Sequence, residues 1–370
     1  MKVAPESNEL RRRVFSSYPP DLYPFQREFY FNASVRDLFK TVIEDNAEDV
    51  RSLLDFSPKP YILSRPLTFN RGLEEPLIFE DLCDDGYKVW NDEFNRLDIP
   101  HAAVALEAYG KLHALGMCLL GKRKVREGTI EKLFNFKPAL SCILFEFVDN
   151  GLKDCRDWIV KNNYPKETVE KIEYAIKERN YLKIVDKMYE VGKSHEIQVV
   201  QHFDARTCNM LFNYASDNST PVSAKLVDFQ FSSFSPPFWD LTYFLALSIS
   251  SENLIPNYQH LIERLSGTFY PKCYDFPNLR YHESLTSTLT RLNYPKPIPT
   301  RSYITHNIQH FSPMVFPLIA GITSAICKGT EDVLLREKKI KSSVENCGFF
   351  GMFENRDTNI KECYIFKIIK

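Results

Sequence analysis

Val199-Val200-Gln201-His202-Phe203-Asp204-Ala205-Arg206-Thr207-Cys208-Asn209-Met210-Leu211-Phe212, followed shortly by Lys225-Leu226-Val227-Asp228-Phe229-Gln230, decides how this chain is read. Reduced to chemistry, it is an apolar run, His-x-Asp, an Asn five residues beyond the Asp, and a second apolar run ending in Asp. Phosphoryl transfer from ATP needs these parts in this order. One carboxylate accepts the proton of an attacking hydroxyl, while an amide oxygen and a second carboxylate hold Mg²⁺ against the phosphates. Asp204 is the candidate base, and Asn209 and Asp228 are the candidate metal ligands. The competing reading is a chance His-x-Asp in a chain with many Asp and Asn residues, since the triplet alone is weak.

The flanks favour the first reading. Met210-Leu211-Phe212-Asn213-Tyr214 and Ala224-Lys225-Leu226-Val227 have the composition of short strands, and Ser216 to Pro221 is a turn cluster. The predicted hairpin gathers the carboxylates and the amide at one end. Cys208 lies inside the loop and raises the alternative of a nucleophilic cysteine. Direct transfer to a hydroxyl needs no such nucleophile, so Cys208 is read as incidental. Arg206 could face a γ-phosphate or an acceptor, but a structural or solvent-facing loop arginine is the favoured reading.

Composition sets the outer limits. The chain has 370 residues, 44% hydrophobic and 26% charged, as globular proteins do, with length enough for two domains or lobes. A formal net charge of -1 gives no basic field for nucleic acid. Nine cysteines, an odd number without C-x-x-C spacing, fit neither a zinc site nor a disulfide framework and suggest cytosolic thiols. The start, Met1 to Ser7, turns polar at once and lacks the apolar core of a signal peptide, so a cytoplasmic protein is expected. Phe311 to Cys327 is the longest apolar stretch, but Pro313, Pro317 and Gly321 interrupt it. It falls short of the roughly 20 residues that cross a bilayer and is predicted to be a buried helix, with no membrane span.

Helical spacing is predicted for Val35 to Leu54, Ile99 to Leu120, Pro165 to Val191, Leu254 to Leu265 and Tyr281 to Leu292. The alternating charges of the third stretch read as a solvated face. Tyr61 to Leu67 and Pro76 to Phe79 read as strands around the turn Asn70-Arg71-Gly72. Past Lys341 the character changes, and Tyr364 to Ile369 is strand-like.

Further segments complete a pattern. Leu77-Ile78-Phe79-Glu80-Asp81-Leu82 with Asp85-Gly86-Tyr87, His101 to Ala114 ending Tyr109-Gly110-Lys111-Leu112-His113-Ala114, and Trp239-Asp240-Leu241-Thr242-Tyr243-Phe244-Leu245 join the loop and hairpin. Tyr281 to Pro299 and Phe311 to Pro317 extend the set. With these, the chain resembles the insect and nematode ecdysteroid-kinase-like family, relatives of choline kinases and aminoglycoside phosphotransferases, over roughly residues 14 to 335. The resemblance implies an α+β, two-lobed protein-kinase-like fold. Residues 1–79 would form a small, incomplete N-lobe of antiparallel sheet plus helix, and 80–82 the hinge. Residues 83–340 would form a mainly helical C-lobe, and 341–370 a divergent tail.

The same resemblance exposes departures. Such kinases begin with two strands joined by a glycine-rich turn over the ATP phosphates, whereas Met1 to Arg13 is short, polar and glycine-free. Ser17, just before Pro19-Pro20, stands where a Lys is expected, and a hydroxyl cannot supply its charge to the phosphates. Phe25-x-x-Glu28-x-x-Phe31 matches the helix whose Glu pairs with that Lys, leaving Glu28 with no expected partner. Phe203 replaces the Gly of most relatives. The abrupt start and unfamiliar end also match a truncated or misassembled gene model.

By this resemblance Asp204 is the catalytic base, Asn209 and Asp228 bind Mg²⁺, His202 supports the loop, and Asp240 bonds backbone groups beneath it. Backbone groups near Glu80, Asp81 and Leu82 would read the adenine of ATP. The implied acceptor is a small alcohol, an ecdysteroid or similar steroid among the candidates. Phe229, Phe231, Phe234, Phe238, Trp239, Tyr243 and Phe244 would border it or belong to the core. Three readings follow: an active ATP- and Mg-dependent small-molecule kinase, a pseudokinase acting through interaction, and an unrelated α/β binding protein. Loss of the glycine-rich turn and Lys favours weak activity at best for these residues, whereas the complete Asp204, Asn209 and Asp228 set favours catalysis. The oligomeric state is not implied.

Overall fold

A computed structural model describes residues 24–46, 49–61, 77–90, 96–121, 143–250, 252–254, 281–327 and 340–341. The fold is α+β, with long helices around two small antiparallel sheets among the described residues.

Helix α1 (Pro24–Tyr30) runs through a π-helical turn (Phe31–Val35) into α2 (Arg36–Glu44). Phe39, Val42 and Ile43 of α2 turn into the core, while Asp37 and Lys40 pair at 2.6 Å outside. The single helical stretch predicted for Val35 to Leu54 is thus broken. Asp49 caps a separate short helix, α3 (Val50–Leu54), by accepting from the Arg51 N–H at 3.0 Å.

Helix α4 (Ile99–Gly121) is the axis of the molecule. Its near-continuous apolar composition is what a helix buried on most sides requires. It is long and apolar enough to cross a membrane by length and composition, yet 78% of its apolar 18-residue window is buried inside the protein. It packs against α9 (Tyr281–Arg291), β2 (Val199–Gln201) and β4 (Pro221–Leu226). Gly116 permits the approach to β2, because a Cβ there would run into the Val200 backbone nitrogen.

Helices α5 (Ile143–Lys161), α6 (Lys166–Ile176) and α7 (Tyr181–Ser194) precede β2. The predicted helix from Pro165 to Val191 is therefore two. Glu178 and Arg179 take left-handed φ values of 53° and 54° and end α6 in a 3₁₀ turn. Helix α8 (Phe238–Ser248) is wholly buried, and α10 (Arg301–Cys327) contains the apolar stretch predicted to be a buried helix and packs on α5, α7 and α8.

The first sheet has the order β1 (Lys88–Val89), β3 (Met210–Tyr214), β4, with Met210 opposite Leu226 and Leu211 opposite Lys225. Alternation along β4 buries Ala224 and Leu226 and leaves Ser223 and Lys225 on the half-open face. In the second sheet β2 pairs β5 (Ser233–Ser235). A short antiparallel pairing joins 59–61 to 78–80, with the Tyr61 N–H donating to Ile78 O at 2.7 Å. The rest of the predicted strand from Tyr61 to Leu67, the turn at Asn70-Arg71-Gly72, the segment holding Ser17, residues 255–265 and the tail lie outside the described residues.

Candidate functional site

Strand β2 ends at Gln201, and the chain turns sharply through His202 and Phe203 into the loop that ends at Asn209. The turn is held from below by Asp240, in the first turn of α8 and 1% exposed. Its carboxylate accepts from the His202 N–H at 2.7 Å and the Phe203 N–H at 2.8 Å. It also accepts from His113 Nε2 of α4 at 3.2 Å, and His113 Nδ1 meets the Tyr281 hydroxyl of α9 at 3.0 Å. Burial, then the nearby Asp240 charge, pushes the Tyr281 hydroxyl far above its ordinary range, so it stays protonated. One buried carboxylate therefore ties three helices to the loop.

His202 supports the loop as expected. Its Nε2 bonds the Val227 carbonyl at 2.7 Å and so carries the proton, while its Nδ1 accepts from the Asp204 N–H at 3.3 Å. This links the loop to the strand that delivers Asp228. Phe203 has φ 66°, in the left-handed region where a side chain is strained and glycine is not. That is why glycine suits this position. The Phe203 ring recovers part of the cost by an edge contact with Trp239, centroids 5.9 Å apart. Phe203→Gly is expected to be more stable than Phe203→Ala by about 1 kcal/mol, because alanine loses the ring and keeps the strain. Urea denaturation of the pair measures it, and an Ala variant equal to or more stable than Gly contradicts it.

The loop's chemistry centres on Asp204, 5% exposed. Arg206 forks onto it, Nε to Oδ1 at 2.6 Å and Nη2 to Oδ2 at 2.9 Å. Asn209 Nδ2 donates to Asp204 Oδ2 and to the Asp204 carbonyl, both at 2.9 Å. With its NH₂ group so engaged, Asn209 keeps its amide oxygen as a ligand for a cation; among the described residues only the Cys208 thiol approaches it, at 3.7 Å. The Val227 N–H donates to Asn209 O at 3.0 Å, which sets Asp228 beside the loop's end. Asp228 is left-handed (φ 68°, ψ 58°), a conformation Asp tolerates better than most residues, and Gln230 Nε2 donates to its Oδ2 at 3.0 Å. The hairpin thus brings Asp204, Asn209 and Asp228 to one end.

Electrostatics follow this geometry. Burial alone would lower the Arg206 guanidinium, but its bonds and charge contact with Asp204 outweigh that and hold it above its ordinary value. The Cys208 thiol is pushed up by the surrounding protein and by Asp204 and Asp228, against the pull of Arg206. A reactive cysteine needs the opposite shift, so the incidental reading of Cys208 stands.

Glu28 lies in α1, buried at 2% exposure, and takes part in an interaction there. Its helix packs on the segment after Asp228: Phe31 stacks on Phe229 at 3.9 Å and 4°, and Arg27 Nη2 donates to Ser232 O. Glu80 is engaged by the fold. Its N–H donates to Lys59 O at 3.0 Å, and its carboxylate takes the Lys225 ammonium, which also lies 5.1 Å from the Tyr87 ring centroid. Burial opposes ionisation of Glu80, but the Lys225 bond and the Lys59 contact together bring its pKa below the usual range. Asp81 Oδ1 accepts from the Cys83 N–H at 2.9 Å, and Leu82 O accepts from the Tyr87 N–H at 2.8 Å. Of the aromatics expected near an acceptor, only Phe231 and Phe234 are half-buried; the others belong to the core.

Sequence reading did not find three of these contacts: the Arg206 fork, the His113–Tyr281 relay and the Lys225–Glu80 pair. Each joins polar residues whose types are ordinary and whose meeting only the fold brings about.

The ecdysteroid kinase-like family model matches residues 1–294. No curated protein matches the chain. Among solved structures, a choline kinase from Cryptosporidium parvum Iowa II is similar at 14% identity and a TM-score of 0.37, over 86% of this chain and 78% of that one.

Proposed function

This chain belongs to the ecdysteroid kinase-like family, and on that premise we propose that it moves the γ-phosphoryl group of ATP to the hydroxyl of a small alcohol. The observation that supports this best is the placement of Asn209. One end of its amide is locked on Asp204 and the other is left to a cation, with Asp228 delivered alongside by the Val227 bond.

Asp204 Oδ1 accepts one hydrogen bond, from Arg206, and retains capacity for the acceptor's O–H. As the acceptor oxygen bonds to the γ-phosphorus, the bond from that phosphorus to the β–γ bridging oxygen breaks. The hydroxyl proton passes to Asp204, and ADP leaves with the bridging oxygen. Asn209 Oδ1 and the Asp228 carboxylate would hold Mg²⁺, which neutralises charge on the β- and γ-phosphates. They are hard oxygen ligands. Among the described residues no group of three or more His, Cys, Asp or Glu could hold a metal, so phosphate and water oxygens would complete the shell. Residues 80–82 serve as the hinge, with the Glu80 carbonyl and Leu82 amide assigned to the adenine edge. Glu28 acts through its helix, which buttresses the Asp228 segment.

The acceptor we assign is an uncharged alcohol of the ecdysteroid class. A second reading, nucleotide binding without transfer, is favoured by Ser17 standing where a lysine is expected. Transfer of labelled phosphate from ATP to a panel of alcohols, ecdysteroids first, separates the two. Product that appears with Mg²⁺ and disappears with a chelator supports the kinase; nucleotide binding with no product from any alcohol supports the second reading.

A further inference from the structure

We propose that Arg206 is a functional side chain of this loop with two tasks: it positions the Asp204 carboxylate, and it supplies the positive charge that meets the terminal phosphoryl group. This rests on the kinase reading above.

The positioning task follows from the fork. A guanidinium with two parallel N–H bonds to one carboxylate fixes that group's plane as well as its distance. Asn209 adds a third donor, on Oδ2. The oxygen with one remaining acceptor direction is therefore Oδ1, and an acceptor hydroxyl would be drawn there. The extended backbone of Arg206 (φ -120°, ψ 153°) is what lets its side chain fold back over a residue only two positions away. This short-range closure leaves the guanidinium part-exposed, with its side chain at 27%, rather than sunk in the core.

The charge task follows from what the fork leaves over. Asp204 uses Nε–H and one Nη2 hydrogen; among the described residues both Nη1 hydrogens and the second Nη2 hydrogen remain. A cation within the catalytic loop, beside the base, lies where negative charge must be met in transfer. The sequence offers Ser17 in place of the lysine that performs this task elsewhere. Lys225, three residues before Asp228 in sequence, is committed to Glu80. A lysine at 206 could restore charge but not the planar fork.

The test compares Mg·ATP with Mg·ADP, since only ATP has the terminal group that Arg206 would touch. Calorimetry on the full chain is expected to give an Arg206→Met variant that loses about tenfold in Mg·ATP affinity and less than twofold in Mg·ADP affinity. Arg206→Lys should regain most of the ATP affinity. In the transfer assay, Arg206→Lys should still show kcat reduced more than tenfold, with the acceptor KM within about twofold, because the fork is lost. Thermal melts of both variants check that the fold is kept. Arg206→Met binding both nucleotides like the parent, or losing both equally, overturns the proposal. A parent chain that binds neither nucleotide defeats the kinase reading, and this inference with it. A parent that binds both, with the selective loss in Arg206→Met, upholds it whichever alcohol is the acceptor.

Discussion

Asp204→Asn is expected to cut phosphoryl transfer by about 10²- to 10⁴-fold, the range that removing a positioned general base costs. An asparagine is isosteric, so the loop should persist. Its amide oxygen can still accept from Asn209 Nδ2, which keeps the amide oxygen of Asn209, proposed as a metal ligand, in place. Its NH₂ group, at the Oδ1 position, must then face Arg206 Nε, donor against donor, and it can no longer take the acceptor's proton. The expected pattern is therefore a split: kcat collapses while Mg·ATP affinity changes less than about fivefold. Steady-state transfer with parallel calorimetry measures it. A variant with undiminished kcat removes Asp204 from the role of base, and one that loses both in proportion makes Asp204 a binding residue instead.

Asp240→Ala is expected to destabilise the protein by about 3–5 kcal/mol, the cost of removing one member of a buried charged network. Three donors lose their acceptor at once: the His202 N–H, the Phe203 N–H and His113 Nε2. The His202 and His113 donors cannot turn to water, since both residues are fully buried. Asp240→Asn should cost less, because its amide oxygen can keep one of the backbone bonds, yet its NH₂ must oppose another donor. Urea denaturation of both variants gives the figures. A loss under 1 kcal/mol for Asp240→Ala would mean that the loop is held by something other than this carboxylate.

Much of the site was legible because its signals are local. The β3–β4 hairpin showed as two short apolar runs around a turn cluster, and in the fold Asp217 caps that turn by accepting from the Ser219 and Thr220 N–H groups at 2.9 Å. Helix α4 showed as helical spacing over Ile99 to Leu120, although composition alone does not tell a buried helix from a membrane-crossing one. Its packing against α9, β2 and β4 decides that. Phe203 was visible as a departure from the family's glycine, but the reason needed the backbone angle.

What was not legible depends on conformation rather than residue type. The break between α6 and α7 falls at Glu178 and Arg179, helix-favouring residues placed in left-handed backbone without a glycine or proline to announce it. The break before α3 was signalled by Asp49 as a cap, a weak mark inside a helical pattern. The Arg206 fork depends on an extended loop residue folding back over its neighbour. The Lys225–Glu80 pair spans 145 positions of sequence and exists only because the half-open face of β4 lies against the segment that carries Glu80.

The most direct measurement is calorimetric titration of Mg·ATP into the purified chain and into Asp228→Asn. A metal–nucleotide site built on Asn209 and Asp228 predicts saturable binding to the parent that requires Mg²⁺ and falls at least tenfold, or beyond detection, in the variant. Binding that is equal in both proteins, or that ignores Mg²⁺, would contradict the assignment of Asp228 as the ligand that joins metal to phosphate. No binding to a folded parent chain would contradict the nucleotide site itself.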